Sequence, residues 1–315
     1  MKNTLKKIAI FCLAAAVFTG LLASCGKTLE STTAASPTVI TDQLGRAVTL
    51  ATNAPQRIIS LAPSNTEILF ALGLGDRVVG VTDFDNYPPE VKTKPSVGGY
   101  STPNIEEVIA MNPDLVLATE VHQAAVIPQL ESQRITVVAL SPQTLDDVLA
   151  SITLVGKATG KVKEAAKLTA AMQQRINSVT NKTGKLSPEM KPRVFYIIWN
   201  DPLMTAGAGT FIDELINKAG GINIAGDLTS YPTISLEAVL TANPQVIIAG
   251  AGMGEGEDLP YQYATTESRL QGTDARRNDR VYSVNTDIIG RPGPRIVDAL
   301  EDFLADIHPE LRDQP

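Results

Sequence analysis

Histidine and cysteine, the side chains used most often for acid–base chemistry and metal ligation, are scarce in this chain. It contains two histidines, His122 and His308, and two cysteines, Cys12 and Cys25. The histidines are far apart in sequence and do not form the spaced pair of a zinc hydrolase. No serine lies in the Gly-x-Ser-x-Gly turn of an esterase. The sequence therefore argues against a hydrolase and against a metal-ion carrier, and it predicts no catalytic residue and no bound cofactor.

The N-terminus has the composition of a secretion signal. Three lysines precede an apolar run at residues 8–22, which is too short for an ordinary membrane-spanning helix. The run ends in Leu22-Ala23-Ser24-Cys25, which resembles the lipobox of bacterial lipoproteins. The resemblance implies removal of residues 1–24, acylation of Cys25 and a lipid-anchored, extracytoplasmic protein. Residues 25–37 are predicted to form a flexible tether. The alternative is an ordinary signal peptide with a chance cysteine.

Charge and length limit the functions of the remaining chain. The 315 residues carry a formal net charge of −7, which argues against nucleic acid as a partner. Cys12 would be removed with the signal, so the mature chain would contain Cys25 but no disulfide. Its length allows two domains that are held together by hydrophobic cores.

One sequence pattern occurs twice. Residues 104–118 and 235–249 each begin with a helix-capping residue, Asn104 or Ser235. Each continues as a short amphipathic helix, breaks at an Asn-Pro pair and ends in an apolar strand. Glu107 lies three places after Asn104, which is the spacing of a capping box.

A strand–turn–helix unit precedes each copy, at residues 57–73 and 193–221. In the first unit, the helix is predicted at residues 66–72. Apolar strands that alternate with helices predict an α/β fold with two lobes, each a parallel sheet flanked by helices. The alternative is chance similarity among the strand–helix units of an ordinary α/β protein.

A long helical stretch separates the copies. Residues 144–158 are predicted as one helix, Gly160 as an interruption and residues 161–181 as a second helix about 30 Å long. The second helix is long enough to join two lobes, with a ligand cleft between them. The predicted divisions are an N-terminal lobe at 38–158, a spanning helix at 159–183 and a C-terminal lobe at 184–315.

Together, these features resemble the helical-backbone class of periplasmic binding proteins, which serve ABC importers of cobalamin, ferric siderophores and haem. The segments that carry the resemblance are Arg57-Ile58-Ile59-Ser60-Leu61-Ala62-Pro63-Ser64-Asn65-Thr66-Glu67, Asn112-Pro113-Asp114, Tyr231-Pro232-Thr233-Ile234-Ser235-Leu236-Glu237 and Arg291-Pro292-Gly293-Pro294-Arg295. The resemblance implies a monomeric solute-binding protein rather than an enzyme. Its partners would be a small-molecule ligand, the permease and, through the permease, the ATPase.

The resemblance also implies two permease-docking residues, Glu67 and Glu237, one at the outer tip of each lobe. Two separated carboxylates suit a basic partner. Each glutamate has a purely structural alternative. Glu67 could complete a capping box with Ser64, and Glu237 could stabilise a helix N-terminus after Ser235.

Members that bind cobalamin resemble this chain most in the segments around residues 83–88, 97–100, 231–232 and 287–291. By this resemblance, Phe84, Tyr100 and Tyr231 would be aromatic walls of the cleft. Asp287 and Arg291 would bond the amide side chains of a corrinoid.

Two further residues are assigned less directly. Trp199 is predicted to end the first strand of the second lobe and to face the cleft. His122 could coordinate cobalt or iron from the cleft, or it could be an exposed loop residue. A ferric siderophore or haem is the alternative ligand, but such anions favour unpaired arginines, and Asp287 lies near Arg291 and Arg295.

Overall fold

The computed structural model describes residues 38–252 and 258–312. The predicted signal peptide at 1–24, the lipidation site Cys25 and the tether at 25–37 lie outside the described residues. Within the described residues, no helix is both long enough and apolar enough to cross a membrane.

The N-terminal lobe is built on a parallel sheet. Its strands, preceded by a short ribbon, are β1 (Val39–Thr41), β2 (Ala47–Thr49), β3 (Ile58–Ser60), β4 (Val78–Gly80), β5 (Leu115–Thr119) and β6 (Val137–Leu140). The ribbon pairs β1 with β2 antiparallel, and the parallel sheet has the order β4-β3-β5-β6. The helices of this lobe are α1 (Pro63–Ala71), α2 (Ile105–Ala110), α3 (Val126–Ser132) and α4 (Leu145–Thr159).

The central strand β5 shows why this sheet is covered on both faces. All of its residues are buried, as expected for the continuous apolar run Leu-Val-Leu-Ala. Leu115 and Leu117 pack in one hydrophobic cluster, whereas Val116 and Ala118 pack in another. Successive side chains of a strand point to opposite faces, so each face has its own core.

The C-terminal lobe repeats this architecture. It follows a long helix, α5 (Val162–Thr183), and its strands are β7 (Arg193–Ile197), β8 (Trp199–Asn200), β9 (Leu203–Met204), β10 (Ile222–Asn223), β11 (Val246–Ala251) and β12 (Val281–Asn285). A parallel sheet has the order β10-β7-β11-β12, and β8 pairs with β9 in a small hairpin. The helices are α6 (Phe211–Lys218), α7 (Leu236–Ala242), α8 (Leu259–Thr266), α9 (Asp274–Arg277), α10 (Thr286–Ile289) and α11 (Ile296–Ile307).

The long helix α5 joins the two halves. Gly160 ends α4 in the left-handed conformation, with a φ of 75°. The 22 residues of α5 span about 33 Å, and α5 packs against α4 and α11. A side chain at Gly156 would collide with Ala165, so this glycine permits the close contact of α4 with α5. The fold class, two parallel-sheet lobes joined by one long helix, is confirmed. The residue boundaries of the lobes remain a prediction.

The internal duplication extends to individual hydrogen bonds. The Arg57 guanidinium donates to the carbonyls of Met111 and Asn112 at the end of α2. The Arg193 guanidinium makes the corresponding bonds to Ala242 and Asn243 at the end of α7. Cationic groups at these positions satisfy carbonyls that the helix leaves unpaired.

The two Asn-Pro breaks also match. Asn112 and Asn243 both adopt left-handed backbone conformations, with φ values of 48° and 43°. Asparagine tolerates this conformation better than most residues, and the proline that follows prevents the helix from continuing. The predicted breaks are therefore confirmed in both copies.

The helix starts are also duplicated. Asn104 Oδ1 accepts the Glu107 N–H at 3.2 Å, and Ser235 Oγ accepts the Ala238 N–H at 3.1 Å. The Asn104 N–H donates to the Val97 carbonyl instead of to Glu107. Only the first half of the predicted capping box is therefore present among the hydrogen bonds of these described residues.

The start of α1 differs from the prediction. The helix was expected at residues 66–72 but begins at Pro63, with Ala62 as its cap. Proline suits a first helical turn because its fixed φ and missing N–H cost nothing there. Ser64 therefore lies inside the helix, and the alternative in which Glu67 completes a capping box with Ser64 is ruled out.

Candidate functional site

Two loops at the carboxyl edge of the N-terminal sheet carry Phe84 and Tyr100. Phe84 follows β4 and is 59% exposed, which is unusual for a large apolar side chain. The Asp83 N–H donates to the Gly98 carbonyl at 2.9 Å, which joins the two loops. The sheet edge thus brings these two predicted aromatic residues onto adjoining segments.

Tyr100 is held by a closed set of contacts with Thr119 and His122. The Tyr100 hydroxyl lies 3.3 Å from Thr119 Oγ1, at the end of β5. His122 Nε2 lies 2.7 Å from the Tyr100 carbonyl, and the two rings meet edge to face with centroids 5.7 Å apart. The orientation of Tyr100 is therefore fixed through both its backbone and its ring.

His122 is buried, which corrects the expectation of an exposed loop residue. Its Nε2 must donate to the Tyr100 carbonyl, so Nδ1 is the nitrogen that accepts the Thr119 N–H at 3.0 Å. Burial lowers the pKa of His122 below its usual 6.5 and favours this neutral form. With both nitrogens bonded, His122 presents no ligand for cobalt or iron.

Trp199 and Tyr231 lie on adjoining segments of the C-terminal lobe. Trp199 pairs with Met204 in the β8–β9 hairpin, and Met204 forms a bridge with Thr233. Tyr231 is 50% exposed. The prediction that Trp199 ends the first strand is wrong, because β7 ends at Ile197. The indole Nε1 donates to the Asp201 carbonyl at 2.9 Å, which stabilises the hairpin turn.

The segment that carries Tyr231 requires a glycine opposite it. The Gly207 N–H donates to the Ser230 backbone carbonyl, and a Cβ at Gly207 would lie only 2.3 Å from the Leu228 carbonyl oxygen. No other residue type would allow the two backbones to approach so closely. Gly207 therefore fixes the position of the Tyr231 segment.

Asp287 and Arg291 form an ion pair that also contacts the N-terminal lobe. Arg291 Nη2 lies 2.8 Å from Asp287 Oδ1, and it donates to the Phe84 carbonyl at 3.2 Å. Asn86 Nδ2 donates to Asp287 Oδ2 at 2.8 Å, and Asn86 Oδ1 accepts a hydrogen bond from Arg291 Nη1. Three of the predicted ligand residues, Phe84, Asp287 and Arg291, are thus brought together.

Glu67 is not at an outer tip. Its side chain is only 2% exposed, and both carboxylate oxygens accept hydrogen bonds from Arg295, at 2.6 and 2.9 Å. Burial raises the pKa of Glu67, and the Arg295 guanidinium opposes that rise. Arg295 also lies 3.9 Å above the ring centroid of Tyr87. The expectation that Glu67 is available for docking is therefore wrong, because its carboxylate is buried and already paired.

Glu237 is exposed in the first turn of α7, as the docking prediction requires. The matched contacts of α2 and α7 identify its counterpart in the other lobe. Glu106 follows the cap Asn104 by two residues, just as Glu237 follows Ser235, and Glu106 is also exposed. The duplicated sequence pattern contains this signal, because Glu106 and Glu237 occupy the same place in the two copies.

Two other site residues were missed for a different reason. Asn86 lies in a segment that the sequence singled out and Thr119 directly follows one, but their roles depend on partners 201 and 19 residues away. No local pattern indicates such pairings.

A cavity of about 610 Å³ is lined by Glu67, Tyr87 and other residues of the N-terminal lobe and by Pro294 and Arg295 of the C-terminal lobe. None of the six predicted ligand residues lines it. In the described residues, no group of three or more His, Cys, Asp and Glu side chains is arranged to hold a metal ion.

Comparisons with known proteins agree with this architecture. Residues 58–287 match the model of the periplasmic binding protein family. An uncharacterised ABC transporter substrate-binding lipoprotein of Bacillus subtilis, YvrC, is 34% identical over 92% of this chain and 94% of its own length. A cobalamin-binding protein of Halobacterium salinarum is 33% identical over 84% of this chain and 72% of its own length.

A solved structure from Staphylococcus epidermidis, described as a possible iron-binding periplasmic solute-binding protein, has a TM-score of 0.70. It is 31% identical, and the match covers 81% of this chain and all of that structure. The family match, the relatives and the duplicated lobes agree with one another. The chain therefore belongs to the periplasmic binding protein family, in the helical-backbone class that binds solutes for ABC importers.

Proposed function

We propose that this protein binds a cobalamin-type corrinoid and delivers it to an ABC permease. One observation carries the proposal: the Asp287–Arg291 pair already bonds a primary carboxamide, that of Asn86, beside the exposed Phe84. A corrin ring carries carboxamides around its edge. The Asp287–Arg291 ion pair has no net charge, and it offers one acceptor and one donor to such a group. The 33% identical relative named as cobalamin-binding supports the same ligand.

The aromatic residues support a large, flat ligand. Phe84, Trp199 and Tyr231 are exposed despite their size, and Tyr100 is held in a fixed orientation. Broad aromatic surfaces with a few placed polar groups are typical of small-molecule sites. Binding would be non-covalent and would involve no catalytic step, as befits a family of solute-binding proteins.

Haem or a ferric siderophore is the second candidate, and the relative described as possibly iron-binding favours it. Anionic ligands are best bound by arginines that have no carboxylate partner. Here Arg291 is paired with Asp287 and Arg295 with Glu67. This neutralisation favours the corrinoid.

Isothermal titration calorimetry with cyanocobalamin, haemin and ferric enterobactin tests the proposal. We expect heat from cyanocobalamin and none from the two anions. Tight binding of either anion without binding of cyanocobalamin would refute the corrinoid assignment and leave the solute-binding role intact.

We further propose that Glu106 and Glu237 dock the protein onto the permease, to which the ATPase is attached. Both glutamates are exposed at the second position of duplicated helices, one in each lobe. Their matched positions support a two-point electrostatic contact with a basic surface. Glu67 has no part in this proposal.

The location is proposed from the N-terminal sequence. Cys25 would carry the lipid anchor and hold a monomer at the extracytoplasmic face of the membrane. The name of the Bacillus subtilis relative, a lipoprotein, supports this reading. Mass spectrometry of protein from cells should find an acylated N-terminus at Cys25, and Cys25→Ala should abolish it. A mature N-terminus without acyl mass would refute the anchor.

A further inference from the structure

The contact of Asn86 with the Asp287–Arg291 pair has a specific chemical form. A primary carboxamide offers a hydrogen-bond donor group, the NH2 with its two N–H bonds, and an acceptor, the carbonyl oxygen. Asn86 uses both groups at once. Its NH2 donates to Asp287 Oδ2, and its carbonyl oxygen accepts a hydrogen bond from Arg291 Nη1. The pair thus reads a carboxamide at two points.

Recognition through these two hydrogen bonds discriminates between functional groups. A carboxylate in the same position cannot donate to Asp287 and is repelled by it. An ammonium group cannot accept from Arg291 and is repelled by it. Loss of one partner leaves a polar group unsatisfied, which is the usual basis of strong selectivity.

The amide of Asn86 also covers the pair. The Arg291 side chain is 13% exposed, with Asn86 on one amino group and the Phe84 carbonyl on the other. Asp287 remains 34% exposed. A ligand amide that bonded Asp287 Oδ2 and Arg291 Nη1 in the same way would take the position that the Asn86 amide now occupies.

We propose that Asn86 occupies the Asp287–Arg291 pair as an internal substitute for a ligand carboxamide and thereby lowers the affinity for the ligand. The ligand amide displaces Asn86, so binding exchanges one carboxamide for another and breaks the contact between Asn86 and the C-terminal lobe. This inference rests on the proposed corrinoid function and adds a competing residue to it.

Competition predicts an unusual direction of change. Removal of the Asn86 amide frees the pair, so Asn86→Ala should bind cyanocobalamin about fivefold to tenfold more tightly. The same variant loses a contact between the lobes, so its Tm should fall slightly. Affinity and stability should therefore change in opposite directions, whereas a residue that merely supports the loop would lower both.

The test measures Kd by calorimetry and Tm by scanning calorimetry for the wild type, Asn86→Ala and Asn86→Leu. Leucine has nearly the shape of asparagine without its polar atoms, so it separates loss of the amide from loss of volume. Asn278→Ala is the matched control, because Asn278 is exposed and its side-chain amide donates to the Asp274 carbonyl within the C-terminal lobe. Both Asn86 variants should bind more tightly, and the control should match the wild type.

A second arm compares cyanocobalamin with its monocarboxylic acids, in each of which one propionamide is hydrolysed. The wild type and Asn86→Ala should both bind one of these acids at least about tenfold more weakly than cyanocobalamin, because the Asp287–Arg291 pair is intact in both. Unchanged or weaker binding of cyanocobalamin by both Asn86 variants would overturn the inference alone. Absence of cyanocobalamin binding by the wild type would overturn the proposed function, and the inference with it.

Discussion

Two arginines four residues apart, Arg291 and Arg295, reach the N-terminal lobe in different ways. Arg295 is bonded to a carboxylate that is 2% exposed, and both oxygens of Glu67 are directed at this one guanidinium. Arg291 is bonded to a carboxylate that is 34% exposed and is shared with Asn86. The carboxylate of the first pair is buried, whereas that of the second is partly exposed and is also bonded to an uncharged side chain. Burial, rather than residue type, distinguishes a structural clamp from a ligand-reading group.

The largest expected effect comes from breaking the buried pair. Arg295→Met should destabilise the protein by about 3 kcal/mol, because it leaves the Glu67 carboxylate buried without a cation. Thermal or urea unfolding measures the loss. The double variant Glu67→Gln/Arg295→Met should recover part of it, since the buried charge is gone. A loss below about 1 kcal/mol for Arg295→Met would show that the two pairs do not differ as described.

The matched change in the open pair should affect binding instead. Arg291→Met should weaken cyanocobalamin binding by about 30-fold, because a charge-assisted contact is removed. Its stability should fall by no more than about 1 kcal/mol, as for other partly exposed ion pairs. Calorimetry and unfolding on the same samples check both values. Equal stability losses for Arg291→Met and Arg295→Met would contradict the comparison.

Docking should depend on neither pair. The double variant Glu106→Gln/Glu237→Gln should lower uptake of radiolabelled cyanocobalamin by about tenfold in cells while Kd and Tm remain those of the wild type. Glu107→Gln is the matched control, because Glu107 is exposed beside Glu106 but its repeat counterpart is Ala238. Full uptake by the double variant would remove both glutamates from the docking surface.

The smallest effect concerns the pH dependence of folding stability that comes from His122. Burial lowers the pKa of His122, so the unfolded chain takes up a proton more readily than the folded chain as pH falls below about 6.5. The contribution of His122 to the free energy of unfolding is therefore complete above about pH 6.5 and declines as the pH falls below that value. Wild type should therefore lose more Tm between pH 7.5 and 5.5 than His122→Gln. Parallel pH profiles for the two proteins would refute this role.

Much of the fold could be predicted from the sequence because its signals are local. The Asn-Pro breaks and the caps Asn104 and Ser235 depend on contacts within a few residues, and the strands are marked by continuous apolar runs. The limits of α5 were also close to the prediction, since a helical stripe and a terminating glycine mark them. The start of α1 was missed because a proline at the first turn and a serine cap suggest different starting points.

The candidate site was less predictable because its assignments depend on distant partners. His122 in a polar stretch gives no sign of burial, yet the Tyr100 carbonyl and the Thr119 N–H engage both of its nitrogens. The duplicated pattern did contain the equivalence of Glu106 and Glu237. It was obscured by a resemblance that pointed to Glu67.

The sequence by itself determined the two lobes, the long helix between them and the types of residue available for binding, because hydrophobic periodicity and turn residues act over short distances. The tertiary structure decided which charges are used and how. Glu67 and Arg295 are 228 residues apart, and Asn86 and Asp287 are 201 apart. Whether such a pair is a buried clamp or an open reading site depends on how much water reaches it, and that is settled only when the two lobes pack together.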